Sequence, residues 1–109
     1  MSDDRITRLR AQVGGPRDGA LLRFSLGTAL LAAGDASGAA VALREALSFD
    51  EGYSAAWKLL GQALADSGDT TGAITAYERG IEIARARGDR QAEKEMGVFL
   101  RRLTKPATG

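Results

Sequence analysis

The sequence predicts an all-α protein, an α-α superhelix of about five to six helices paired as antiparallel hairpins, and three observations carry that reading. First, the chain repeats itself: Leu26-Gly27, Ala29-Leu30, Gly34-Asp35 and Gly38-Ala39 recur 34 residues later as Leu60-Gly61, Ala63-Leu64, Gly68-Asp69 and Gly72-Ala73. Self-similarity at a period of about 20 to 50 residues marks a solenoid, whose units cannot bury an apolar face alone and must stack. Second, apolar residues recur at helical spacing from Leu21 onward, with neither the strict alternation nor the Val, Ile and Thr enrichment of strands. Third, Gly-Asp pairs punctuate the pattern at 34–35, 68–69 and 88–89. A Gly just past a helix tolerates the left-handed conformation, and the Asp after it accepts hydrogen bonds from the amides that open the next helix.

Taken in order, a first helix over residues 4–13 places Ile6, Leu9 and Val13 on one side and stops at Gly14-Gly15-Pro16. Asp18 is expected to cap a helix running to residue 33, which carries Leu22, Leu26, Ala29 and Leu30 toward a core. Helices over 36–49, 52–67, 70–87 and 90–103 follow, with Asp50 expected to cap the one that begins at 52. Loops this short force antiparallel neighbours. Pro106 is expected to stop the last helix, leaving 104–109 as a frayed tail.

At 109 residues the chain is read as one domain with a single core. Fifteen Lys and Arg stand against fourteen Asp and Glu, so bulk charge gives no reason to expect nucleic acid or an anionic membrane as partner. Cys and His are both absent, which removes disulfides, thiolate or imidazole catalysis and Cys- or His-based metal sites. No Gly-rich phosphate loop is present, and the spacing of Asp66 and Glu95 does not select them as an acid/base pair. We expect no catalytic activity, no cofactor and no metal. The N-terminus lacks the basic start and apolar run of a signal peptide, and Gly or charge interrupts every apolar stretch, so a soluble, cytoplasmic protein is expected.

Residues 20 to 87 resemble two tetratricopeptide repeats. In the second unit Trp57, Leu60, Gly61, Ala73 and Tyr77 fall on family positions, with Leu64 where Tyr is usual and Gly80 where Ala is usual. The first matches through Leu26, Gly27, Ala39, Leu43 and Ala46, but Arg23 replaces Trp, Leu30 replaces Tyr and Glu51 takes the Pro position. The resemblance implies a small bacterial-type member: an N-terminal helix at 4–13, repeats at 20–53 and 54–87, and a capping helix at 89–103. With two extra residues near Arg87-Gly88, Met96-Gly97 and Leu100 take the places of Leu60-Gly61 and Leu64, so that Met96, Phe99, Leu100 and Leu103 cover the open end of the second repeat. Small residues at Gly27, Gly61, Ala39 and Ala73 let helices approach closely, and Trp57 and Tyr77 are read as packing between them.

In that family the first helix of each pair lines a concave groove that holds an extended peptide or a helix of another protein. Carried over by position, the lining is Leu21, Phe24, Thr28 and Leu31, then Ala55, Lys58 and Gln62, then Gln91, Lys94, Val98 and Arg101. This strip runs from apolar to basic, which implies an acidic partner with an apolar anchor near Phe24 and Leu31. Chaperone-binding members clamp a terminal carboxylate with Lys, Asn and Arg; Lys58 with Gln62 matches that in part, while Phe24 and Thr28 depart from it. The function implied is a non-catalytic interaction adaptor. One alternative is a self-associating module, in which Met96, Phe99 and Leu103 cap a second molecule. A lesser one is RNA binding by Arg85, Arg87, Arg90, Arg101 and Arg102, although Glu78, Glu82, Asp89, Glu93 and Glu95 interleave with those cations. Lys58, Lys94 and Arg101 also have the plain reading of a solvated face.

Overall fold

The computed structural model describes residues 2–105, which form six α-helices: α1 (Ser2–Ala11), α2 (Ala20–Ala32), α3 (Ala36–Phe49), α4 (Ser54–Asp66), α5 (Thr70–Arg87) and α6 (Arg90–Thr104). Among the described residues there is no strand. Helices α2 and α3 form one hairpin and α4 and α5 a second; α6 packs on α5, and α1 lies against α2. Neighbouring first helices also touch, α2 on α4 and α4 on α6. The body measures 47 × 32 × 19 Å, a slab about two helix diameters thick.

The turns behave as their composition dictates. Gly34, Gly68 and Gly88 adopt φ of 87°, 90° and 73°, conformations open to Gly without the Cβ penalty. The Asp after each then caps a helix: Asp35 accepts from Gly38 N and Asp69 from Gly72 N, both at 2.9 Å, and Asp89 accepts from Ala92 N at 3.1 Å.

Two expected caps are corrected. Helix α2 starts after Gly19 with no side-chain cap, because Asp18 is drawn into other bonds: it accepts from Gly14 N and from Arg23 Nε and Nη2, each at 2.8 Å. Helix α4 starts at Ser54 rather than 52, again without a side-chain cap, since Asp50 accepts from Gly52 N at 3.0 Å in the turn before it. The first helix closes at Ala11, with Gln12 and Val13 continuing as turn. Thr104 is still helical, and the expected stop at Pro106 lies outside the described residues.

The core is built largely from alanine. Ala39, Ala46, Ala56, Ala63, Ala73 and Ala84 are wholly buried together with Leu43 and Met96, so backbones approach closely and each glycine at a crossing receives a large side chain. A Cβ built on Gly27 would lie 2.6 Å from Leu43 Cγ, and one on Gly61 would lie 2.5 Å from Tyr77 Cζ. Gly80 stands where alanine is usual for the same reason: a Cβ there would meet Met96 Sδ at 2.5 Å and Trp57 Cβ at 2.7 Å. Met96 of α6 therefore closes the apolar end of the α4–α5 hairpin, and Phe99 joins it 5.7 Å from the Tyr77 ring. Both Met96 and Phe99 are thus engaged within their own chain.

Trp57 packs against this core and its indole N–H donates to Glu51 O at 2.8 Å, a packing role. Arg23, at the tryptophan place of the first hairpin, fills its site differently. Its guanidinium bonds Asp18, pairs with Glu45 at 2.9 Å and sits 5.5 Å over the Phe49 ring.

Candidate interaction surface

The eleven expected lining residues all lie on α2, α4 and α6, the three first helices that run side by side. The structure groups them into smaller sets. On α2, Leu21 projects into solvent with 69% of its surface exposed, and half-buried Phe24 stacks on Tyr53, ring centroids 4.7 Å apart. Thr28 donates its hydroxyl to Phe24 O at 2.9 Å, a bond along its own helix, and Leu31 packs against the core. Tyr53 was not anticipated as a lining residue; it ends the loop before α4, and burial, with Asp50 nearby, raises its phenol above the ordinary value. Ile6 and Leu9 of α1 pack against the same core as Phe24.

The centre is polar and paired. Lys58 Nζ meets Glu95 Oε1 at 2.9 Å across α4 and α6, and Gln91 donates to Glu95 Oε2 at 3.1 Å. These bonds, that from Lys58 first, hold the Glu95 carboxyl below its ordinary value. The strip therefore does not run smoothly from apolar to basic, because the cation at its middle is matched by a carboxylate that the sequence reading left out. Beyond it, exposed Gln62 shares a hollow with Asp66, Phe99 and Arg102, floored by Tyr77. Burial, with Asp66 nearby, pushes the Tyr77 phenol up to about 12, so it stays protonated.

At the C-terminal edge the lining turns away from the others. Lys94 and Arg101 stand on the rim of a cleft between α5 and α6, with Arg85, Arg90 and Glu93 beside them and Ile81, Gly97 and Leu100 forming its floor. Ala55 lies in a separate depression with Asp50, Tyr53, Arg87 and Asp89, and Val98 remains half-buried on α6. One member of the Arg-rich tract is neutralised in space, Arg85, whose Nε pairs with Glu93 at 2.9 Å; Arg79, outside the tract, pairs with Glu51 at 3.1 Å.

Comparison with known proteins places this geometry. A family model described as tetratricopeptide repeat matches residues 30–93. A TPR repeat-containing protein of Pseudomonas aeruginosa is 53% identical over 91 residues, covering 84% of this chain and 87% of that protein. Among solved structures, a protein from Bordetella parapertussis is 45% identical with a TM-score of 0.80, covering 92% of this chain and 87% of that one. The TPR domain of Sgt2 from Aspergillus fumigatus shares the fold at 24% identity, with a TM-score of 0.75, over 99% of this chain and 74% of that one.

Proposed function

Because this chain belongs to the tetratricopeptide repeat family, whose fold is generally a protein–protein interaction module, we propose that it is a non-catalytic adaptor holding a segment of another protein along the face of α2, α4 and α6. The observation that carries the reading is the unequal dressing of that face. Leu21 is left largely in solvent and the Phe24–Tyr53 stack is half-buried beside it, while the Lys58–Glu95–Gln91 cluster lies further along. An apolar anchor beside a polar register suits an extended peptide or an amphipathic helix. An acidic ligand gains Lys58 only by displacing Glu95, which favours anchoring through the α2 end, with charge selecting among partners. Among the described residues no helix is long and apolar enough to cross a membrane, and we place the adaptor in the cytoplasm.

The test is capture from native lysate with wild type and a Leu21→Glu/Gln62→Glu variant. Both positions are exposed, so the melt of the variant should match that of the wild type. A partner held by the wild type and lost by the variant supports this face; a partner held equally by both overturns the assignment.

A further inference from the structure

The two complete hairpins show what a first helix of this protein carries on its outer side, and α6 lacks it. Gly27, Gly61 and Gly97 share one register, each following a buried Leu26, Leu60 or Met96. Leu43 of α3 fills the position over Gly27, and Tyr77 of α5 fills that over Gly61. Over Gly97 a Cβ would meet nothing nearer than Arg101 Nη1, at 3.7 Å. The next apolar residue tells the same story: Leu30 and Leu64 are 4% and 6% exposed, whereas Leu100 is only half-buried. Around Gly97 opens the α5–α6 cleft, about 950 Å³, with Ile81 and Leu100 at its base. Three cations of its rim, Arg90, Lys94 and Arg101, have no ion-pair partner among the described residues.

We propose that this cleft docks a helix of an acidic partner protein in the place a second helix holds in the other two hairpins. The helix would lie antiparallel to α6, put a leucine or aromatic side chain over Gly97, and turn carboxylates toward Arg90, Lys94 and Arg101. Shape comes from the repeat itself, since α3 and α5 show the side chain that a glycine in this register accepts. Charge sets the occupant. A second copy offering its own α6 would set one net-basic helix against another, and α1, with Arg5, Arg8 and Arg10 against Asp3 and Asp4, is net basic as well, so charge disfavours both arrangements. The surface differs from the α2–α4–α6 face, and each stands or falls alone.

The experiment is a titration of the isotope-labelled full chain, followed by amide shifts. The probe is a capped peptide of residues 70–87, Tyr77 kept, with Arg79, Arg85 and Arg87 replaced by Glu. The expected result is saturable shifts at Ile81, Gly97 and Leu100, with the unsubstituted peptide binding at least about tenfold more weakly. Gly97→Leu puts a side chain into the opening, where a Cβ meets nothing nearer than Arg101 Nη1, and should abolish those shifts, while Arg90→Glu/Lys94→Glu should weaken binding by at least about tenfold. Leu21→Glu/Gln62→Glu should leave the titration unchanged. No shifts at about 1 mM peptide, or shifts confined to Phe24 and Gln62, overturn the proposal. So does a dimer by sedimentation that Gly97→Leu dissociates, which would give the cleft to a second copy.

Discussion

Replacing Gly61 and Gly97 by alanine, one at a time, should move stability by different amounts although the chemical change and the helical setting are the same. In an exposed helix, Gly→Ala is worth roughly 1 kcal/mol, because alanine loses less backbone freedom on folding. Gly97 has open space above it, so Gly97→Ala should realise that gain. At Gly61 the new methyl would fall within 2.5 Å of Tyr77 Cζ, with the ring's Cδ1 at 2.7 Å. That ring is 3% exposed and packed against Phe99, so it cannot swing into solvent to make room. Overpacking of this kind costs about 1 to 3 kcal/mol. The net effect at Gly61 then runs from nearly neutral to about 2 kcal/mol of loss, and the gap between the variants equals the overpacking cost alone.

For a domain of this size each kcal/mol corresponds to roughly 4 °C, so the two melting temperatures should differ by roughly 4 to 12 °C, with Gly97→Ala above wild type. Thermal and urea melts by far-UV circular dichroism measure this directly. Equal stabilisation by both substitutions would mean that Tyr77 is not pinned over Gly61 and would refute the close-approach account of the hairpin. A loss at Gly97 would refute the open position on which the cleft rests.

Other consequences are simpler to check. Asp69→Ala removes the cap on Gly72 N and should cost about 1 kcal/mol in a urea melt, whereas Asp50→Ala, which removes a bond to the Gly52 amide but no side-chain cap of a helix N-terminus, should cost less. The Arg23 guanidinium and the Gly14 amide hold the Asp18 carboxyl well below its ordinary 3.8, so this contact contributes stability that is present above that value and fades as pH falls below it. Melts across an acid series should therefore show the wild type's advantage over Arg23→Met narrowing toward low pH; a constant gap would discard the linkage. The Lys58–Glu95 pair is partly exposed, 32% and 38% by side chain, so Lys58→Glu should lower the melt only modestly, and adding Glu95→Lys should recover most of the loss in a double-mutant cycle.

What the sequence displays depends on how local the determining physics is. The hairpins were legible because their cause repeats: glycine then aspartate at each turn, and glycine at each crossing, all within one period. Asp18 and Asp50 are of the same type as the capping aspartates but follow Arg17 and Phe49 rather than Gly, and Arg23, five residues on, and the Gly52 amide compete for their oxygens. Only the folded turn decides that competition. The lining residues were assigned by repeat position, which pairs Lys58 with Lys94 as equivalents; the residue that meets Lys58 is Glu95, 37 positions away. Which side chains of α6 turn toward α4 depends on how α6 docks beside it, and nothing in the periodicity of α4 or of α6 alone reports it. Tyr53 escaped for a similar reason, since a loop residue has no periodic face and gains its role only when Phe24 lies beneath it.

The near-zero net charge does not report which cations are paired. On the first two hairpins Arg23 is held by Asp18 and Glu45, Lys58 by Glu95 and Arg79 by Glu51 and Glu82, while Arg44 and Arg87 form no ion pair among the described residues. Around Gly97, Arg90, Lys94 and Arg101 have no such partners among the described residues, although each comes from the same nearly balanced composition. A ligand on the α2–α4–α6 face thus meets charges already screened by their neighbours, while one in the α5–α6 cleft meets a local positive field. Affinity governed by such a field falls as salt shortens the Debye length toward the width of the site, whereas apolar anchoring at Leu21 and Phe24 does not. If both surfaces are occupied in one assembly, raising salt should release the helix at Gly97 first, because the two ends of this small superhelix hold their ligands by different forces.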